Sequence, residues 1–203
     1  MKRGKYKLKK RAERQEETRL RIVRAALELH ETVGPSLTTI CAIAERAGVG
    51  RPTVYSHFPD ELSLGKACSS LGLSENPLPD PGPWEEICDP EERLRVALAE
   101  LYAYFRRREG LWTNIQRDQE LPHRRDNPNV REIMKPIFGH WERMKEALCA
   151  GWETSGGPKQ ELVGAIGLAL DFQTWRTMVR KQGMSDEQAV ELMTRMVRCV
   201  TRG

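Results

Sequence analysis

From Ile22 to Val200 apolar residues recur at intervals of three and four, and no sustained apolar–polar alternation competes with them. That spacing lines one face of a helix, whereas a half-buried strand needs a period of two. The chain is therefore read as all-α. Local punctuation divides it into elements. A first helix is expected to begin between Arg11 and Thr18, to carry Ile22, Ala25, Ala26, Leu29 and Val33 on one face, and to stop at Gly34 and Pro35. A short second helix follows, with Thr38 as its N-cap and Gly48 as its end, and a third runs over about 51–57. Asp60 is placed to cap a fourth.

Four prolines at 77, 79, 81 and 83 exclude a helix interior there. The domain change is placed nearby, giving a head over residues 1–70 and a helical body over 71–203. Asp89, Pro90 and Glu92 open the first body helix, which lasts to Gly110. Asn127 and Pro128 open another, which runs to Ala150 with Pro136 and Gly139 inside it. Two last helices are expected over 158–182 and 186–202, the second behind a Ser185–Gln188 capping box.

Charge separates the same two regions. The 203 residues carry a net charge of only +4, but residues 1–70 hold 14 Lys and Arg against 8 Asp and Glu, and the remainder is slightly acidic. The excess is steepest at Lys2, Arg3, Lys5, Lys7, Lys9, Lys10 and Arg11, with no carboxylate among them. Such a run is expected to stay flexible and suits the phosphate backbone of nucleic acid; a solubilising tail or a patch for anionic membrane is the alternative on charge alone. The five cysteines are an odd number spaced by twenty residues or more, and the four histidines miss helical i, i+4 spacing. Neither a disulfide framework nor a metal site is expected, and no cofactor. No apolar run reaches the length of a membrane span and no apolar segment follows the basic N-terminus, so the expectation is a cytoplasmic protein with no membrane partner.

Three short helices in about fifty residues, with a Gly-containing turn between the second and third, fit a helix-turn-helix unit that offers its last helix to the major groove. The third helix concentrates Arg51, Thr53, Tyr55, Ser56 and His57, all able to hydrogen-bond to phosphates or base edges, while Val54 and Phe58 supply an apolar side. The run Thr39-Ile40-Cys41-Ala42-Ile43-Ala44-Glu45-Arg46-Ala47-Gly48-Val49-Gly50-Arg51-Pro52-Thr53-Val54-Tyr55-Ser56-His57-Phe58 resembles the N-terminal signature of TetR-family transcriptional regulators. The likeness covers about residues 14–68; the rest of the chain shares only the layout of a helical sensor domain closed by two long helices.

The resemblance implies roles. Thr39 would bond a phosphate, Arg51 a phosphate or a guanine edge, and Pro52 and Thr53 would approach base edges or thymine methyls. Tyr55 and His57 would anchor the DNA backbone, Gly48 would make the turn, and Ser56 is a candidate reader of sequence. Departures accompany it: Gly50 is a weak N-cap, Cys41 stands where Arg or Glu is common, and Glu61 replaces a lysine that contacts phosphate. The basic N-terminal arm is a candidate substitute for that lysine.

The implied partners are double-stranded operator DNA with pseudo-palindromic half-sites, a second copy of the chain, and a small-molecule effector whose binding releases a repressor. The dimer is expected through the last two helices, where L-V-G-A-I-G-L-A-L over 162–170 is apolar nearly all round. Trp112, Trp141, Phe172 and Trp175 are the candidates to line an effector pocket. An activator without an effector, an all-α enzyme or a helical adaptor with a basic head stay open as alternatives, although no catalytic set stands at informative spacing.

Overall fold

The computed structural model describes residues 2–153 and 159–202, with side chains for all of these except 2–5, 7, 8, 123, 125 and 202. Among the described residues the regular structure is all helical. The helices are α1 (Lys2–Thr32), α2 (Ile40–Ala47), α3 (Arg51–His57), α4 (Glu61–Glu75), α5 (Gly82–Glu85), α6 (Pro90–Arg107), α7 (Glu109–Gln119), α8 (Pro122–Arg125), α9 (Pro128–Cys149), α10 (Lys159–Ala169), α11 (Phe172–Arg176) and α12 (Asp186–Arg202). A 3₁₀ turn occupies Pro35–Leu37. None of these helices is long and apolar enough to cross a membrane, and no three described His, Cys, Asp or Glu side chains converge as a metal site.

The chain packs as two compact units that do not follow a single cut. One unit joins residues 1–77 to 110–135; the other joins 78–109 to 136–203. The second boundary falls at Pro136, inside the continuous helix α9.

In the first unit α1 lays Ile22, Val23, Ala25, Ala26 and Leu29 against Ile43, Ala44 and Ala47 of α2, Val54 of α3, Phe58, and Leu64 and Cys68 of α4. Burying each large side chain of this set contributes about 1.5–3 kcal/mol. The Cys68 thiol is sealed in this core, and burial pushes its pKa up to about 12, so it stays protonated. The first helix begins at Lys2 rather than between Arg11 and Thr18. Its added residues are mostly Lys, Arg, Glu and Gln, all good helix formers, and no proline interrupts them.

Residues 110–135 of this unit seat on the end of α1. Asn114 Nδ2 donates to the carbonyls of His30 and Glu31 at 3.2 and 2.9 Å, and Arg117 Nη2 donates to the Val33 carbonyl at 2.9 Å. These donors serve the carbonyls that every helix leaves unpaired in its last turn. Gly34 adopts φ +95° in that turn, where a Cβ would collide with Arg117 and stand 3.1 Å from Asn114 Cβ and 3.3 Å from Asp118 Oδ2. Only glycine combines that backbone with that close approach. Asp118, 4% exposed, accepts from the Ser36 N–H at 2.7 Å and from Arg117 at 2.8 and 3.0 Å. Burial alone would raise its pKa, but the Ser36 N–H and the Arg117 guanidinium outweigh it and hold the carboxyl below its ordinary value.

In the second unit α6 packs with α12, and α10 lies beside α12. Leu94, Leu98, Leu101, Tyr102 and Phe105 of α6 are closed off from solvent together with Met144, Leu148, Ile166 and Trp175. Arg93, 7% exposed, has no carboxylate among its hydrogen bonds. It donates to the Ile87 carbonyl at 2.8 and 3.0 Å and to the carbonyls of Ala147 and Ala150, both at 2.9 Å, so a buried cation closes the C-terminal end of α9. The helix expected over 158–182 starts outside the described residues and is interrupted within them. Asp171 accepts from the Thr174 N–H at 2.8 Å and so caps a new helix, α11, which passes into a π-helical turn over Thr177–Lys181. The Ser185–Gln188 capping box forms in both directions, at 2.8 and 3.2 Å.

Candidate nucleic-acid interface

The turn between α2 and α3 follows from local chemistry. Thr39, not Thr38, is the N-cap of α2; its hydroxyl accepts from the Ala42 N–H at 3.1 Å. Thr38 instead donates its hydroxyl to the Gly34 carbonyl at 2.8 Å. At the other end Gly48 adopts the left-handed conformation, φ 64° and ψ 39°, and the N–H groups of Gly48 and Val49 return to the last carbonyls of α2. Two residues later Gly50 is the N-cap of α3 and supplies no side-chain bond, as its lack of a side chain requires. Pro52 sits in the first turn, where its missing N–H has no intrahelical partner to lose.

Val54 and Phe58 are buried and anchor α3 to the core. The rest of the helix faces outward: Arg51, Pro52, Tyr55 and Ser56 are exposed, and Thr53 and His57 are half-buried. Tyr55 is 53% exposed, an unusual position for an aromatic ring with no partner surface. The structure therefore brings Arg51, Pro52, Thr53, Tyr55, Ser56 and His57 onto one short helix, with exposed Thr39 at the start of the helix before it. Ser56 Oγ donates to its own Thr53 carbonyl at 2.8 Å, which leaves its lone pairs outward. Arg51 reaches back to Cys41 Sγ at 3.7 Å, so the two positions that depart from or define the turn signature touch.

Glu61, the acidic replacement at the start of α4, does not stand as an isolated repulsive charge. Arg124 Nη1 pairs with it at 3.1 Å and Arg124 Nε donates to Ser36 Oγ at 2.9 Å. Sequence reasoning missed Arg124, which lies 63 residues away behind a polar loop and carries no local motif. Asp60 beside it caps α4 by accepting from the Ser63 N–H at 2.7 Å, and that bond lowers its pKa. Arg19 of α1 stacks over the Phe58 ring at 5.0 Å, which fixes where α1 passes the end of α3.

The four aromatic residues expected around an effector separate. Trp112 belongs to the first unit. Trp141, Phe172 and Trp175 come together in the second around Phe105, at ring-centroid distances of 6.2, 5.3 and 5.8 Å. Phe172 and Trp175 are closed inside, and Trp141 is partly open. Trp175 Nε1 donates to Asp186 Oδ1 at 2.9 Å, and Arg106 Nε donates to the other oxygen of that carboxylate at 2.6 Å. Burial would raise the Asp186 pKa, but the Arg106 and Trp175 bonds lower it. Arg106 is thus a structural ion-pair partner.

A capped helix, a left-handed glycine turn and a short outward helix held by two apolar anchors define a helix-turn-helix protein with a second, all-helical unit. Residues 22–64 match the model of bacterial regulatory proteins of the tetR family. The HTH-type transcriptional regulator SrpR of Pseudomonas putida is 40% identical over 87 residues, which span 39% of this chain and 40% of that protein. The chain thus matches about two fifths of the length of this curated relative. Among solved structures, NalD, the secondary repressor of the MexAB-OprM multidrug efflux pump in Pseudomonas aeruginosa, is similar with TM-score 0.64 at 23% identity, over 94% of this chain and 98% of that one. The TetR family transcriptional regulator PfmR of Thermus thermophilus gives TM-score 0.59 at 18% identity, over 90% and 95%. Residues 22–64 are thus similar to the tetR-family head, and the fold of the chain is the one those structures share.

Proposed function

We propose that the protein is a DNA-binding transcriptional regulator, a repressor that occupies a pseudo-palindromic operator as a homodimer and is released by a small-molecule effector. The observation that carries this reading is the outward face of α3, where every exposed or half-buried side chain except Pro52 can donate or accept a hydrogen bond. In this reading Arg51, Pro52, Thr53 and Ser56 meet base edges, and Thr39, Tyr55 and His57 meet phosphates. The basic excess of the head supports a polyanionic partner.

The homodimer is supported by the faces of α10 and α12. Leu168 and Met196 are 58% and 49% exposed, and a Cβ added at Gly164 or Gly167 would meet no atom within 4 Å. Such an open, apolar, small-residue face suits a second copy of the same surface. Two copies would set two recognition helices ~34 Å apart on the duplex. The effector reading rests on the aromatic cluster of Phe105, Trp141, Phe172 and Trp175, whose partly open member is Trp141; Trp112 is a separate candidate in the other unit. A regulator of this kind works in the cytoplasm, where the DNA is.

Selection of bound duplexes from a random-sequence library, followed by gel shifts, tests the reading. Tyr55→Phe and His57→Ala weaken binding across sequences, whereas Arg51→Ala and Ser56→Ala alter which sequences are preferred. Unchanged binding in all four variants contradicts the assignment.

A further inference from the structure

Among its described side chains, the first half of α1 packs against no other element. The first buried residue among those described in the helix is Ile22, and the side chains from Lys9 to Glu17 are all exposed. At 1.5 Å per residue the helix from Lys2 to Arg19 extends for roughly 26 Å. Its point of departure is known from the contact of Arg19 with Phe58, the residue that ends α3. The extension therefore leaves the head at the C-terminal end of the recognition helix.

Its charge opposes its own conformation. Seven Lys and Arg stand between residues 2 and 11 without a carboxylate, at the helix end where the macrodipole is positive and anions are favoured. Neighbouring like charges at i, i+3 and i, i+4, such as Arg14 with Arg11 and with Lys10, add repulsion. A helix of this length without packing is marginal in water. A line of phosphates removes all three penalties together. A membrane surface does not suit it equally, because Tyr6 and Leu8 are the only large apolar residues between Lys2 and Leu20 and no apolar face exists to insert.

We propose that the N-terminal half of α1 is a second DNA-contact element, a basic helix that lies along the phosphate backbone of the duplex flanking the site read by α3 and is stabilised by it. This rests on the DNA-binding reading above and extends it from the recognition helix to the flanks. Duplex DNA carries one charge per ~1.7 Å of axis, so the roughly 15 Å of helix from Lys2 to Arg11, which holds the seven cations, runs past about nine phosphates. It also accounts for a head that lacks the usual cation at Glu61 and spends Arg124 on pairing that carboxylate.

The test uses the full chain with Lys9→Gln, Lys10→Gln, Arg11→Gln and Arg14→Gln together, since glutamine keeps helix propensity and these side chains are exposed. Wild type and variant are titrated against a site selected by the wild type, in a long duplex of ~40 base pairs and in one trimmed to ~20. The expected results are that the slope of log K against log salt is shallower in the variant by about 2 or more per protomer, that trimming weakens the wild type at least tenfold, and that the variant is indifferent to it. Helical ellipticity of the wild type should also rise on adding the long duplex. Equal salt slopes and equal dependence on flank length in the two proteins overturn the proposal while leaving the reading of α3 intact. A variant that binds the long duplex normally but no longer binds vesicles rich in phosphatidylglycerol overturns it in favour of a membrane. Failure of the wild type to select any duplex overturns both.

Discussion

Asp118→Ala should unfold the first unit at distinctly lower denaturant than wild type, and the structure sets the size of the effect. The carboxylate is 4% exposed and is the acceptor for the Ser36 N–H at 2.7 Å. Removing a charged acceptor from a part-buried N–H costs about 1.5–3 kcal/mol. Its second interaction, with Arg117, adds less than about 1 kcal/mol, because the Arg117 side chain is 46% exposed and its charge is screened. The expected total is about 1.5–4 kcal/mol. With a urea slope of about 2 kcal/mol/M, the midpoint should fall by about 0.75–2 M. Asp118→Asn keeps an oxygen for Ser36 and loses the charge and the two bonds from Arg117, whose half-exposed guanidinium can turn to water, so it should fall by less than half as much. Urea titration followed by far-UV circular dichroism measures both. If the alanine variant unfolds within about 0.2 M of wild type, or if asparagine is as damaging as alanine, the carboxylate does not hold residues 34–36 in the way described.

Three further outcomes are expected. Burial, assisted by nearby Arg124 and opposed by Asp118, lowers the His30 pKa to about 4, so the native state excludes a proton that the unfolded chain accepts near pH 6.5. Stability is fully present above pH 6.5 and is lost as the pH falls toward 4, by up to about 3 kcal/mol. His30→Gln should flatten that dependence; an unchanged pH profile counts against it. Arg93→Lys should cost about 2–4 kcal/mol and lower Tm, because an ammonium lacks the fork that serves the carbonyls of Ile87, Ala147 and Ala150 together, and a Tm within a degree or two of wild type would refute this. Leu168→Glu with Met196→Glu should leave each unit folded and yield a monomer by light scattering; a persistent dimer would mean that α10 and α12 are not the interface.

The sites differed in how far they were legible. The apolar face of α1, the Gly48 turn, the short outward helix from Arg51 to His57 and the Ser185–Gln188 box all act within a few residues, and their chemistry is local. Charge repulsion suggested a flexible N-terminal arm and the apolar spacing a late start to α1, but the helix-forming propensity of Lys, Arg, Gln and Glu carries the helix to Lys2. The break at Asp171 was hidden for the opposite reason. An apolar run looks continuous until a short acidic side chain turns back on the Thr174 N–H.

Sequence by itself determined the helical class, the turn and the polar face of the recognition helix, because periodicity, glycine φ and side-chain polarity are properties of neighbouring residues. Only tertiary structure decided what sits against them. It brought Arg124 to Glu61, Asn114 and Arg117 to the end of α1, Arg93 to the end of α9, and Trp141 and Trp175 to Phe105. Each of these pairings joins groups dozens of residues apart whose partners are chosen by packing, since a buried donor or charge takes whichever acceptor the folded chain presents.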